Sequence, residues 1–349
     1  MHIWTEEPLK EIWRLLRYFR SPYNVYNLLT GKIDSGRPHK WKETENMLAR
    51  AFDIAACVSQ ADEYYHAAGT VGLATEPLLQ FYGAQCLSKA CILSNDESIE
   101  LKDINYHGLS TRPSTANDLI IQELIHYNKS DSIWEVESEF AVTHEGVFPF
   151  LCKIAGDNIP PKGNVVKVKE LLRVVPEMAD LFQRHYKITS HCFYLYTDEI
   201  IKGGRIEVLF SNKEAFESVR ILFPEFSIGF ETQEKPRHSF GFRSISDQYT
   251  SIPDYIKIVR GSVAGHYLVK PHESGVFTSL GSHYALLFIL SNMVRYKPSF
   301  WMRVMEGDTT GSASIVETFI NLSKRRIPGD VLELLWHENF TFGTPGYWV

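Results

Sequence analysis

A chain of 349 residues, 44% hydrophobic and 22% charged, has ordinary globular composition and ample material for a core, in one large domain or two medium ones. Its formal net charge of −6 excludes a global basic field for nucleic acid, although a local patch could still bind one. The five cysteines, Cys57, Cys86, Cys91, Cys152 and Cys192, are odd in number and contain no CxxC pair, which argues against a disulfide framework and a zinc site.

The first part of the chain reads as helical. In PLKEIWRLLRYF, Leu9, Ile12, Trp13, Leu16 and Phe19 recur at spacings of three and four and form one apolar stripe, which Ser21-Pro22 ends. The opening residues carry acids and bases throughout and lack the apolar core of a signal peptide. WKETENMLARAFDIAACVSQADEYYHAAG predicts a second helix closing near Gly69, with Met47, Phe52, Ile54, Ala55 and Val58 on its apolar face. EPLLQFYGAQCLSKACILSN predicts a third, with Pro77 in its first turn. Its small residues Gly83, Ala84, Ser88 and Ala90 suggest close packing on another helix.

From about 117 to 278 the composition turns β-rich. SIWEVESEFAVTHEGVFPFLCKIAG predicts a hairpin around the His-Glu-Gly stretch, and GDNIPPKGN a surface loop. VVKVKELLRVVPEMADLFQRHY predicts a helix interrupted at Pro176. HCFYLYTDEIIKGGRIEVLF predicts two strands about a Gly-Gly turn. SNKEAFESVRILFPE predicts a short helix, and YIKIVRGSVAGHYLVKP two strands about a glycine-containing turn.

The last 70 or so residues read as helical again. Residues 283–295, apolar on nearly every side, predict a helix capped by Ser282 and surrounded by partners, with the helices at 43–68 and 77–94 as candidates. Its apolar run is well short of the roughly 20 residues of a membrane span. Pro298 opens a further turn, Ser314 to Glu317 fits a capping box, and Pro328-Gly329-Asp330 precedes VLELLW. No internal repeat is visible. The expectation is an α+β fold. Residues 1–116 and 279–349 form a helical bundle, and 117–278 form a mixed α/β, β-rich insert.

Catalytic signatures are missing. HExxH, GxSxG, P-loop and GxGxxG patterns are absent, so acyl transfer, metal-assisted hydrolysis and nucleotide-phosphate cradling have no positive support, and no metal or cofactor is expected. Arg295 ends the apolar helix, where the helix dipole alone favours a cation by about 0.3–1 kcal/mol. With Tyr296 and Trp301 flanking it, Arg295 could instead build an aromatic-lined anion or partner site. Tyr82, Gln85 and Lys89 fall on one helical face. That polar stripe is a solvated surface or, facing Arg295, one wall of a basic pocket. His107 before Gly108 reads as a hydrogen-bonding loop residue. Arg260 to His266, RGSVAGH, has the spacing of a helical Arg-His nuclease pair, but Gly261 and Gly265 make it a poor helix and a better turn.

EPLLQFYGAQCLSKACIL and LLFILSNMVRYKPSFW together resemble the YaaC-like family of bacterial cytoplasmic proteins, and the resemblance runs from WRLLRYFRSPYNVYNLL to LSKRRIPGDVLELL. It touches Tyr82, Lys89, Arg295, Tyr296, Pro298 and Trp301. It implies a cytoplasmic location but no reaction. Its helical part is similar in style to HEPN-like bundles, whose ribonuclease activity does not follow without the helical Arg-His pair. Members in bacilli tend to be encoded beside IMP dehydrogenase, which implies a partner in purine nucleotide metabolism.

The expected function is therefore that of a non-catalytic binding or regulatory protein. It would engage another protein or an anionic small molecule through Tyr82, Gln85, Lys89, Arg295, Tyr296 and Trp301. Membrane association is not expected, nucleic acid is not favoured, and a homodimer is compatible. A HEPN-like ribonuclease or nucleic-acid-processing effector is the alternative.

Overall fold

The computed structural model describes residues 1–38, 40–111, 136–157, 159–196, 200–235, 239–253, 256–261, 265–270, 279–306 and 311–343. They form an α+β structure in two units, residues 1–171 with 274–349, and residues 172–273. Of the segment read as an insert from 117, the described residues from 136 to 171 belong to the helical unit and those from 172 on to the other.

In the first unit, β1 (His2–Trp4) pairs in parallel with β12 (Thr341–Gly343), which joins the two ends of the described chain. Helix α1 (Pro8–Leu16) buries Ile12, Trp13 and Leu16 of the expected stripe and runs into a 3-10 turn that buries Phe19. Ser21 starts the next helix as well as ending the first: its hydroxyl accepts from the Asn24 N–H and caps α2 (Pro22–Leu29). Helices α3 (Met47–Ala68) and α4 (Glu76–Asn95) pack along each other. Gly83 permits that approach, since a Cβ there would fall 2.6 Å from the Tyr65 ring. Phe52, expected on the apolar face of α3, instead faces solvent.

β2 (His107–Ser110), β3 (Phe140–Gly146) and β4 (Val165–Lys167) form an antiparallel sheet in that order. The hairpin expected over 132–156 does not form, and residues 132–135 lie outside the described ones. Gly146, at φ +134°, turns the chain out of β3, and α5 (Val147–Ile154) follows at once. Its apolar run is helical because it packs on α4, β2 and β3. An apolar run of that length fits a buried strand or helix equally well, and periodicity cannot separate the two. VVK, read as the start of a helix, is β4, and α6 (Val168–Arg173) begins after it.

The C-terminal helices are α9 (Ser279–Tyr296), α10 (Pro298–Glu306) and α11 (Ser312–Trp336). α9 is the buried centre. Tyr284, Ala285, Leu287 and Ile289 are closed to solvent, and the helix packs on α4, α5, α10 and α11, while α3 packs chiefly on α4 and α2. Ser282 is not a cap, because the helix starts three residues earlier and encloses it. Nor does Ser314 open a capping box: Gly311 stands at the N-cap of α11 and Ser314 bonds back to the Gly311 carbonyl. Pro328 lies inside α11 without ending it, since Ile327, Val331, Leu332 and Leu335 on the same helix are fully buried. Their burial offsets the roughly 3 kcal/mol that an internal proline costs.

In the second unit, β5 (Cys192–Leu195), β10 (Lys257–Arg260) and β11 (His266–Val269) make one sheet in the order β10-β11-β5. β6 (Ile201–Lys202), β7 (Arg205–Phe210), β8 (Phe230–Lys235) and β9 (Ser239–Ser244) make another in the order β6-β7-β9-β8. Gly203 and Gly204, both left-handed, turn β6 into β7. α7 (Ala179–Tyr186) follows a 3-10 turn at Pro176, and Asn212 caps α8 (Lys213–Leu222). Val208, Phe210, Val219, Phe226 and Phe242 form the centre of this unit's core. Arg260 and His266 face each other across the β10–β11 pair, so they do not form a helical Arg-His pair.

Candidate functional site

α4, α9 and β2 converge on a region of the first unit where cations meet aromatic rings. α9 is buried along most of its length, and its last turn carries Arg295 out of the core half-buried. The guanidinium donates through Nε to the Ser291 carbonyl at 3.3 Å and through Nη1 to the Tyr82 hydroxyl of α4, also at 3.3 Å. Its central carbon lies 5.8 Å from the Tyr82 ring centroid and 5.1 Å from that of Tyr296. Tyr64 of α3 extends the aromatic surface, its ring 5.5 Å from that of Tyr82. Tyr296 itself is 71% exposed, so its ring meets the cation at the protein surface.

His107 completes the cluster. The β2–β3 register shifts between His107 and Leu109. The imidazole packs on Phe81 at 5.3 Å and Phe288 at 5.9 Å, while its carbonyl accepts from the Tyr284 hydroxyl at 3.2 Å. Its Nδ1 is buried with no hydrogen-bond partner among the described residues. Burial first, then the positive charges of Arg295 and Lys89, holds the imidazole below the ordinary histidine range. Both cations therefore act on one ring, and neither has a carboxylate partner among the described residues.

Tyr82, Arg295 and Tyr296 thus meet in this cluster, Lys89 is linked to it through its charge on His107, and Gln85 and Trp301 differ from them. Gln85 is buried within α4's packing. Trp301 is 1% exposed and spends its indole N–H on the Leu73 carbonyl at 3.1 Å, which leaves it no donor for a ligand. His107 is the member that helical spacing does not reveal. Its neighbours are far away in sequence, and its only local signal is the His-Gly pair.

Covalent chemistry by cysteine has no support here. Burial pushes the Cys57 and Cys91 thiols up to about 12 and raises Cys86, Cys152 and Cys192, so the thiolate form is disfavoured at each. Among the described residues no group of three His, Cys, Asp or Glu side chains could hold a metal ion, and no helix is long and apolar enough to cross a membrane. What the cluster offers is positive charge, ring faces and a neutral imidazole, a set suited to an anion or an acidic surface.

A family model described as YaaC-like Protein matches residues 17–335 of the chain. No curated protein and no solved structure matches it.

Proposed function

Taking the chain as the member of the YaaC-like family that it is, we propose that it acts as a non-catalytic binding protein whose Arg295–Lys89–His107 cluster receives an anionic group. One observation carries this reading: the Arg295 guanidinium, set against the Tyr82 and Tyr296 rings and bonded to the Tyr82 hydroxyl, has no carboxylate partner among the described residues. Tyr82 and Tyr296 supply the ring faces on which a guanidinium, or a base attached to a phosphate, can stack. The anion can belong to a nucleotide or to an acidic segment of a partner protein, with a purine-nucleotide enzyme such as IMP dehydrogenase as the partner class implied by the family.

The test is native purification of the full chain, followed by mass spectrometry of the protein and small-molecule fractions that accompany it. A stoichiometric nucleotide or protein, present with the unsubstituted chain and lost in Arg295→Ala, supports the reading. An empty chain that also fails to bind added nucleoside monophosphate leaves Arg295 as no more than a helix end.

A HEPN-like ribonuclease reading is favoured by one feature, that His107 packs on Phe81 and Arg295 bonds to Tyr82, adjacent residues of α4. A neutral His107 could accept a proton from an attacking hydroxyl, with Arg295 facing the phosphate. RNA cleavage abolished by both His107→Ala and Arg295→Ala would replace the binding reading with this one.

A further inference from the structure

Arg37 lies in the connection between α2 and α3. Its Nη1 donates to the carbonyl of Ser94 at the end of α4, at 2.6 Å, and its guanidinium carbon is 5.7 Å from the Trp41 ring centroid. The remaining edge, formed by Nε and Nη2, is buried and has no hydrogen-bond partner among the described residues. On that edge the two N–H bonds run parallel, at the spacing of two oxygens of a carboxylate or phosphoryl group. Arg17 shows what the same edge does when the chain supplies an acceptor: Nε and Nη2 meet the two carboxylate oxygens of Asp62 at 2.8 and 2.9 Å.

Among the described residues no carboxylate bonds to that edge of Arg37, although the Glu338 side chain packs on the neighbouring Gly36. Among the described residues its charge is coupled to Cys91 and His337, neither of them anionic at neutral pH, while Arg50 shares the Trp41 ring. The Nε2 of His337 is likewise buried without a partner among the described residues. Gly36 docks the backbone directly on His337, for a Cβ at 36 would overlap the His337 carbonyl oxygen. A capping role explains only part of this. Arg50 and Arg37 both donate to carbonyls at the C-terminal end of α4, where a cation is favoured. That role uses Nη1 and leaves the buried pair of charged donors unsatisfied, which native interiors avoid.

We propose that Arg37, with His337 beside it, forms a second oxyanion site that takes one carboxylate or phosphoryl group across the Nε–Nη2 edge. The site is separate from the Arg295 cluster: Ser94 is twelve residues beyond Tyr82 on α4, about 18 Å at the α-helical rise. The connection from Gly31 to Asn46 has no helix or strand among its described residues, so a local shift of that backbone can admit the ion. An ion seated there offsets the Arg37 charge, which together with burial holds His337 down at about 4. Binding therefore raises the pH at which His337 titrates.

The experiment is an NMR titration of the histidine-labelled full chain with inorganic phosphate and, in a separate arm, with acetate, the ionic strength being matched with chloride. The expected result is a saturable shift of the His337 signals with one or both anions, and the arm that saturates identifies the phosphoryl or the carboxylate source. The shift should persist in Arg295→Ala and weaken at least tenfold in Arg37→Lys, which keeps the charge and loses the fork. Should Arg37→Lys fold poorly, His337→Asn keeps a residue tolerant of the left-handed backbone there and should weaken phosphate binding measured by calorimetry. No saturable shift with either anion overturns the proposal. So does a response that Arg37→Lys or His337→Asn leaves intact, or one that vanishes only in Arg295→Ala.

Discussion

Arg17 lays the Nε–Nη2 edge of its guanidinium along both oxygens of Asp62, at 2.8 and 2.9 Å, and so ties the turn after α1 to the middle of α3. Arg20 adds a third contact to the same carboxylate at 3.0 Å. The two arginines are about half exposed, whereas the carboxylate is nearly enclosed. Water can therefore replace the acid for the arginines more easily than it can replace the arginines for the acid. Asp62→Ala should cost about 1–2 kcal/mol, and the pair Arg17→Ala with Arg20→Ala about 2–3 kcal/mol, because the pair strands a buried charge. Urea unfolding of the two variants checks this order, and equal losses would mean that the carboxylate is better solvated than its burial implies.

Arg295→Ala should raise the pKa of His107. The substitution removes the larger of the two cationic effects that hold the imidazole down, and Lys89→Ala should raise it by less. A histidine NMR titration measures both shifts. An unmoved His107 in Arg295→Ala would separate the arginine from the histidine and dissolve the cluster on which both functional readings stand.

Trp301 should behave as part of the core. Trp301→Phe removes the indole bond to the Leu73 carbonyl and should cost about 1 kcal/mol, and Trp301→Ala about 3–5 kcal/mol. In Trp301→Phe, anion binding at the Arg295 cluster should be unchanged. A selective loss of binding with unchanged stability would put Trp301 back among the ligand-facing residues.

The helices were legible wherever apolar residues recur at helical spacing and a proline or glycine marks an end, as in α1, α3, α4 and α9. Where the same short apolar run fits two structures, it was not. Residues 147–154 are helical because Gly146 redirects the chain and α4 receives them, and neither fact is visible in the run itself. Pro328 misleads in the opposite sense, its local cost being outweighed by burial that comes from distant partners. At the candidate site, helical spacing placed Tyr82, Gln85 and Lys89 on one face of α4, yet the structure sets Tyr82 against Arg295 and encloses Gln85. His107 reaches the cluster only through tertiary packing on Phe81 and Phe288. The open edge of Arg37 depends on a carbonyl 57 positions away in sequence.

His337 and His107 also make the fold sensitive to acid. Each is held below its ordinary value in the folded chain, His337 down at about 4, chiefly by burial and then by neighbouring positive charge. The unfolded chain therefore binds protons that the folded chain refuses. Their contribution to stability is complete above the unfolded histidine value of about 6.5 and is lost as the pH falls toward the folded values. For His337 the loss accumulates between about 6.5 and about 4 and then levels off. Urea midpoints measured from pH 7 to pH 4.5 should fall in the unsubstituted chain and fall less steeply in His337→Asn. The added anion that loads the Arg37 site should flatten the slope in the same way, since it brings the folded and unfolded values of His337 together. Identical slopes in the chain and in His337→Asn would show that this imidazole titrates normally and that Arg37 does not act on it.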